Sequence, residues 1–208
     1  MLSAAQHEAV TSEAARPLQI LAGPGSGKTR VLTSRVAHLV RDSAAPIAPE
    51  RCVVVTFTNR AANEMRARLE TMIGADRTRR LVLGTFHAVC VRFLRRWGTR
   101  LGLDPRFTIA DTDDARRLLR DVDRDAPVDA TLAAISRAKA HGWTPDELRA
   151  SAQHAPGSPA HTEHLALCRT YAAYQQQLRT SHALDFDDLL LLGVRLFREH
   201  PELTTHID

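Results

Sequence analysis

Residues 22–29 read Ala-Gly-Pro-Gly-Ser-Gly-Lys-Thr. Three glycines within five positions, followed at once by a lysine and a threonine, leave the chain few backbone paths. Before this stretch, Pro17 leads into the short apolar run Leu18-Gln19-Ile20-Leu21-Ala22. After it, Val31, Leu32, Val36, Leu39 and Val40 recur at helical spacing. The order expected is therefore strand, glycine-rich turn, amphipathic helix. Such a turn points backbone N–H groups inward, and the helix adds its positive end at the same place. This is the design of a phosphate-binding loop with Walker A spacing, with Ala22 where the strict form has glycine.

Each residue type in the loop has a mechanical reason. Gly23, Gly25 and Gly27 allow the close backbone approach, and Pro24 and Ser26 complete the turn between them. Lys28 reaches the β- and γ-phosphates, and the Thr29 hydroxyl takes a place in a Mg²⁺ shell. Of the 28 basic residues only Lys28 and Lys139 are lysine; the rest are arginine. A compact ammonium suits a phosphate loop better than a planar guanidinium, which accounts for Lys28 in so arginine-rich a chain. Lys139 calls for a reason of its own. The loop alone does not choose among kinase, GTPase, transporter ATPase and motor.

Two further strands are expected, Cys52–Phe57 and Leu81–Phe86, each followed by an amphipathic helix. The first of these helices carries Ala61, Ala62, Met65, Leu69, Met72 and Ile73, and the second runs to about Arg100. Repeated strand–helix alternation predicts a doubly wound α/β sheet. Ligands of such sheets bind beyond the carboxyl ends of the strands. There stand Thr56-Phe57-Thr58-Asn59 and Gly84-Thr85-Phe86-His87. The two phenylalanines read either as core residues or as stacking surfaces for bases, with the flanking hydroxyl, amide and imidazole groups holding phosphates. After about residue 104 no β run is expected. Thr144-Pro145-Asp146-Glu147 reads as a helix start, His154–His161 as a loop, and Asp185 as the cap of a last helix ending near Pro201.

Five blocks, in order, resemble the N-terminal part of UvrD/PcrA/Rep-type superfamily 1 DNA helicases. Leu2-Ser3 with Gln6 resembles the Q motif, and Ala22 to Arg30 resembles motif I. Thr56 to Met65 resembles motif Ia, with Arg60 where the family usually has lysine. Gly84-Thr85-Phe86-His87 with Cys90–Arg95, and Asp185-Phe186-Asp187-Asp188-Leu189-Leu190, complete the set. The resemblance covers essentially the whole chain. It implies a RecA-like parallel sheet, subdomain 1A, over 1–103, an inserted all-helical subdomain 1B over 104–184, and a return segment over 185–208. It further implies ATP and Mg²⁺ as cofactors, with 3′→5′ movement along single-stranded DNA and at single-strand/double-strand junctions. By the same resemblance, Gln6, Ala22–Gly27, Lys28, Thr29 and Arg30 would serve the nucleotide. Lys28 and Thr29 would be the catalytic pair and Thr29 the Mg²⁺ ligand. Thr56, Phe57, Thr58, Asn59, Thr85, Phe86 and His87 would face DNA.

The family places an apolar strand ending in Asp-Glu soon after the Asp-Phe-Asp-Asp helix, where it supplies the Mg²⁺-linked carboxylate and the base for water. These 208 residues hold no such strand. Asp187-Asp188 is a poor substitute, because these acids precede their apolar run and sit where a helix start favours acids anyway. The expectation is the front portion of a helicase, unable to hydrolyse ATP as an isolated polypeptide. The alternative is a fragment that binds DNA or a partner without turnover. A third reading, an unrelated P-loop enzyme such as a small-molecule kinase, treats the two Thr-Phe blocks as coincidence.

Composition narrows the rest. Residues 1–100 hold 16 Lys+Arg against 7 Asp+Glu, while residues 101–208 hold 12 against 17. A basic front half suits a polyanionic partner. Arg92, Arg95, Arg96 and Arg100 line one side of a helix, as a solvated face or as phosphate contacts. Cys52, Cys90 and Cys168 lack disulfide or metal spacing, and the ten histidines show no helical metal pair. No apolar run approaches the ~18 residues of a membrane span, and the first residues lack a signal peptide's pattern. An intracellular protein is expected, in the cytoplasm or nucleoid of a bacterium or in a eukaryotic nucleus.

Overall fold

The computed structural model describes residues 2–14, 17–152 and 157–207. Helix α1 (Ala4–Thr11) is opened by Ser3. Its hydroxyl accepts from the Gln6 backbone N–H, while the Gln6 side chain accepts from the Ser3 N–H. This reciprocal box satisfies two donors that a helix start leaves unpaired. In the glycine-rich turn, Gly25 and Gly27 take φ of 72° and 82°, a left-handed conformation that glycine adopts without strain. Helix α2 (Lys28–Ala37) begins directly after Gly27 and widens into one further turn over His38–Asp42.

Strand β1 (Val53–Thr56) leads through Thr58 into α3 (Asn59–Ile73), and α4 (Ala75–Arg80) then precedes β2 (Val82–Thr85) and α5 (Phe86–Trp97). β1 and β2 pair in parallel, with Val53 opposite Val82 and Thr56 opposite Thr85. A parallel pair needs a long crossover, which α3 and α4 provide. Ala62, Met65, Leu69 and Ile73 form the apolar stripe of α3, packed in one core with Val36, Val40, Val54 and Leu83.

The expected first strand is corrected. Leu18–Ala22 carries no strand pairing, with Leu21 86% exposed and Leu18 and Ile20 each 44% exposed. An apolar run becomes a strand only through pairing, and among the described residues no strand pairs with this one.

The chain divides into two compact units, one comprising the chain up to Val89 together with the residues from Glu202 onward, the other Cys90–Pro201. The second unit is mainly helical. After β3 (Thr108–Ile109) it holds α6 (Thr112–Val122), α7 (Val128–Ala140), α8 (Pro145–Ala150) and α9 (Pro159–Thr180), followed by β4 (Ala183–Leu184) and α10 (Phe186–Glu199). The expectation of no β structure after residue 104 is therefore corrected too. β3 and β4 form a short parallel ladder, Thr108 opposite Ala183 and Ile109 opposite Leu184. Thr144 and Glu147 make the expected capping box on α8. Of the loop expected over His154–His161, residues 154–156 lie outside the described residues, and 159–161 belong to α9, capped by Ser158 with Pro159 in its first turn. The core gathers Leu119, Ile135, Leu148, Tyr171, Tyr174 and Leu178.

Among the described residues, no helix is long and apolar enough to cross a membrane, and no group of three or more His, Cys, Asp or Glu is placed to hold a metal ion. All three cysteines are free thiols.

Candidate nucleotide and nucleic-acid sites

The phosphate loop stands open to solvent from Ala22 to Ser26, and Lys28, Thr29 and Arg30 are exposed after it. Its shape is held by internal hydrogen bonds. The Ser26 hydroxyl donates to the Gly23 carbonyl at 2.7 Å, and the Lys28 ammonium donates to the Ala22 and Gly23 carbonyls at 3.1 and 2.7 Å. Gln6 reaches the loop from α1, its Nε2 donating to the Ser26 carbonyl at 2.9 Å. A Cβ at Gly27 would meet this same amide at 3.2 Å and the Arg30 Cβ at 3.9 Å. Glycine there thus allows both the left-handed turn and the approach of Gln6. The turn, the helix start behind it and the solvent-exposed Lys28–Thr29 pair fit a nucleoside triphosphate with its Mg²⁺.

Beside the loop, Arg30 and Ser34 of α2 share with Leu2 and with Arg68 and Met72 of α3 a cavity of about 500 Å³. The sequence does not single out Arg68, and it marks Met72 only as one of the apolar residues of α3. They stand four apart on the helix flank next to Leu69, where an arginine reads as ordinary surface.

The second candidate site follows from strand register. Because Thr56 and Thr85 are paired, the residues after them leave the sheet side by side. The rings of Phe57 and Phe86 lie with centroids 5.7 Å apart and planes tilted 55°. Phe57 is 91% exposed and Phe86 49% exposed, so neither is a core residue. Their flanks do structural work: the Thr58 hydroxyl caps α3 by accepting from Ala61 N–H, and the Thr85 hydroxyl accepts from Ala88 N–H. Thr56 is buried and donates to the Thr58 carbonyl. Asn59 is exposed on the first turn of α3, and His87 is half-buried on the first turn of α5.

Among the four arginines expected along one side of α5, Arg95 lies over the Phe107 ring at 5.6 Å and Arg96 over the Trp97 ring at 4.9 Å. Both guanidinium planes thus have aromatic partners, a use of arginine that lysine fills less well.

Lys139 has its reason in the helical unit. Its side chain is fully buried, with Nζ 2.6 Å from Asp185 Oδ2 and 2.8 Å from Asp188 Oδ1. The Tyr174 hydroxyl also donates to Asp185, the Gln175 amide donates to Asp188, and the rings of Tyr171 and Tyr174 lie 5.8 and 5.4 Å from the ammonium. Burial holds the Asp188 carboxyl above its ordinary range, and the Lys139 ammonium offsets only part of that push. Burial also pushes the hydroxyls of both tyrosines up. Asp188 is thus held by an internal cation and is no stand-in for a metal-linked carboxylate.

The profile of the family described as UvrD/REP helicase N-terminal domain matches residues 2–208. The chain belongs to that family. Among its UvrD/REP relatives are three bacterial proteins named ATP-dependent DNA helicase PcrA. The one from Leuconostoc citreum is 42% identical over 90% of this chain and 25% of its own length. Those from Staphylococcus epidermidis and Staphylococcus aureus are each 38% identical, over 97% and 95% of this chain and 27% of their own length. The chain spans about a quarter of the length of the curated relatives it matches.

Proposed function

We propose that this chain is the ATP- and single-stranded-DNA-binding portion of a 3′→5′ DNA helicase, organised as RecA-like 1A over 1–103, helical 1B over 104–184 and a return segment over 185–208. The observation that carries the DNA half is the exposed Phe57–Phe86 pair at the carboxyl ends of two paired strands. Exposed aromatic rings near 5.7 Å apart are poor solvent surface and a good platform for bases. Support for the nucleotide half comes from the loop itself. Lys28 would leave the Ala22 and Gly23 carbonyls for the β- and γ-phosphates, and Thr29 would hold Mg²⁺. The loop N–H groups would cradle the phosphates, with Gln6 and Arg30 toward the base. The bound nucleotide supplies the phosphoanhydride whose hydrolysis drives movement.

Turnover is a separate matter. Phosphoryl transfer depends on positioned carboxylates and transition-state charge. These 208 residues hold no apolar strand ending in Asp-Glu, and Lys139 occupies Asp188. As an isolated polypeptide they bind without appreciable hydrolysis. The test is titration of the polypeptide with a fluorescent oligothymidine at low salt, with and without MgATP, beside a duplex of equal length. Preference for the single strand supports the proposal, and preference for the duplex contradicts it.

A further inference from the structure

One side chain ties the far end of α1, the helix that carries Gln6, to the helix that follows the glycine-rich loop. Arg35 lies seven residues after Lys28 on α2, two turns on and nearly the same face. Its Nη1 is surrounded by the far end of α1. It donates to the Ala9 carbonyl at 2.9 Å, to the Ser12 carbonyl at 3.1 Å and to the Ser12 hydroxyl at 2.7 Å, with the Val10 carbonyl at 3.4 Å. The last carbonyls of a helix have no partner within it and carry its negative end, so a guanidinium there is held by both hydrogen bonding and charge.

Helix α1 depends on such contacts. It has eight residues, too few to persist alone, and Val10 is the residue it buries. Its start is tied to the loop by Gln6, whose Nε2 donates to the Ser26 carbonyl and whose Oε1 accepts from the Ser3 N–H. With Gln6 beside the start of α2 and Ala9–Ser12 beside Arg35, α1 runs alongside α2 in the same direction. Parallel neighbours place like helix ends together, an arrangement that a cation between the two carboxyl ends relieves.

We infer that Arg35 is a positioning residue for the nucleotide base: by fixing the carboxyl end of α1 it sets where Gln6 stands over the loop, and so sets base selectivity without touching nucleotide. The inference rests on the proposed binding of ATP at residues 22–30. Phosphate contacts come from the loop and Lys28, which Arg35 does not hold, so the two kinds of contact are separable.

The test uses the 208-residue chain, with ATP, GTP and inorganic tripolyphosphate titrated in the presence of Mg²⁺ against wild type, Arg35→Gln, Ser12→Ala and Gln6→Ala. Hydrogen exchange over residues 4–11 is read in parallel. Arg35→Gln should speed exchange in α1 and leave α3 unchanged. It should lower the ATP-to-GTP affinity ratio about 3- to 10-fold, the value of one neutral hydrogen bond, toward that of Gln6→Ala. Tripolyphosphate affinity should stay at the wild-type value. Ser12→Ala, which removes one acceptor and no charge, should move the ratio the same way by less, and it serves if Arg35→Gln does not fold. A wild-type ratio in a folded Arg35→Gln protein, α1 exchange unchanged by it, or an equal loss of tripolyphosphate overturns the inference. Failure of wild type to bind either ATP or tripolyphosphate instead overturns the proposed nucleotide site.

Discussion

Phe57 and Phe86 each follow a threonine at the end of a strand, and those threonines, Thr56 and Thr85, are paired across a parallel ladder. The 5.7 Å between their rings is thus a consequence of register, and the 91% exposure of Phe57 is the consequence of its leaving the sheet before α3 begins. A ring in that position contributes little to folding. Phe57→Ala should therefore change unfolding free energy by less than about 0.5 kcal/mol, as for ordinary surface positions. It should weaken single-stranded oligonucleotide binding by about 1–3 kcal/mol, the value of one base–aromatic stack. Thermal unfolding and fluorescence titration measured on the same preparation check both. A large fall in melting temperature with unchanged DNA affinity would reverse the assignment.

The buried ion cluster makes a different kind of prediction. Lys139→Ala leaves Asp185 and Asp188 without their cation among Tyr171, Tyr174 and Gln175. Removing one partner of a buried pair costs about 3–5 kcal/mol, whereas replacing all partners by neutral groups costs far less. Chemical denaturation should show the single substitution strongly destabilised. Lys139→Met combined with Asp185→Asn and Asp188→Asn should recover most of that loss. A triple variant as unstable as the single would mean that the charges do not act as one unit.

Much of this fold is written in short-range chemistry. Thr144 with Glu147 and Asp185 as a cap announce two helix starts, and the β-branched run at Val53–Val55 announces a strand. What escapes is whatever depends on a partner distant in sequence. Leu18–Ala22 looks like a strand because strand propensity is local, but strand pairing is not. Thr108–Ile109 and Ala183–Leu184 are too short to show alternation, so their ladder exists only once α9 has brought the ends together. Ser158-Pro159 reads as loop punctuation and is equally a helix cap with proline in the first turn. In the site, Lys28 and the glycines are legible because a phosphate-binding turn calls for those residue types, whereas Gln6 is singled out only by the family resemblance. The placements of Arg35, Arg68 and Met72 are not legible, since they depend on which helix lies across from each. Lys139 stood out by composition alone, and only packing supplies its carboxylates.

Helix α5 and helix α10 approach closely at one glycine. A Cβ at Gly193 would lie 2.8 Å from the Cys90 sulfur and 3.4 Å from the Cys90 Cβ. Gly193→Ala forces the helices apart or turns Cys90 out of place, and overpacking of this kind costs about 1–3 kcal/mol. Cys90→Ala should relieve part of it, so a double-substitution cycle followed by urea unfolding should show favourable coupling between the two. Additive effects would mean that the helices separate elsewhere.

The account stands or falls on the loop at residues 22–29, and Lys28 is its most direct probe. Calorimetric titration of MgATP into wild type and Lys28→Ala, both shown to be folded, measures the claim itself. Lys28 is exposed and bonded to its own loop carbonyls, so its removal should leave unfolding nearly unchanged. Loss of a charge-assisted phosphate contact should weaken binding by about 1.5–3 kcal/mol, or roughly 10- to 150-fold. Equal affinity of the two folded proteins for MgATP would contradict the phosphate-loop assignment and the nucleotide-driven function built on it.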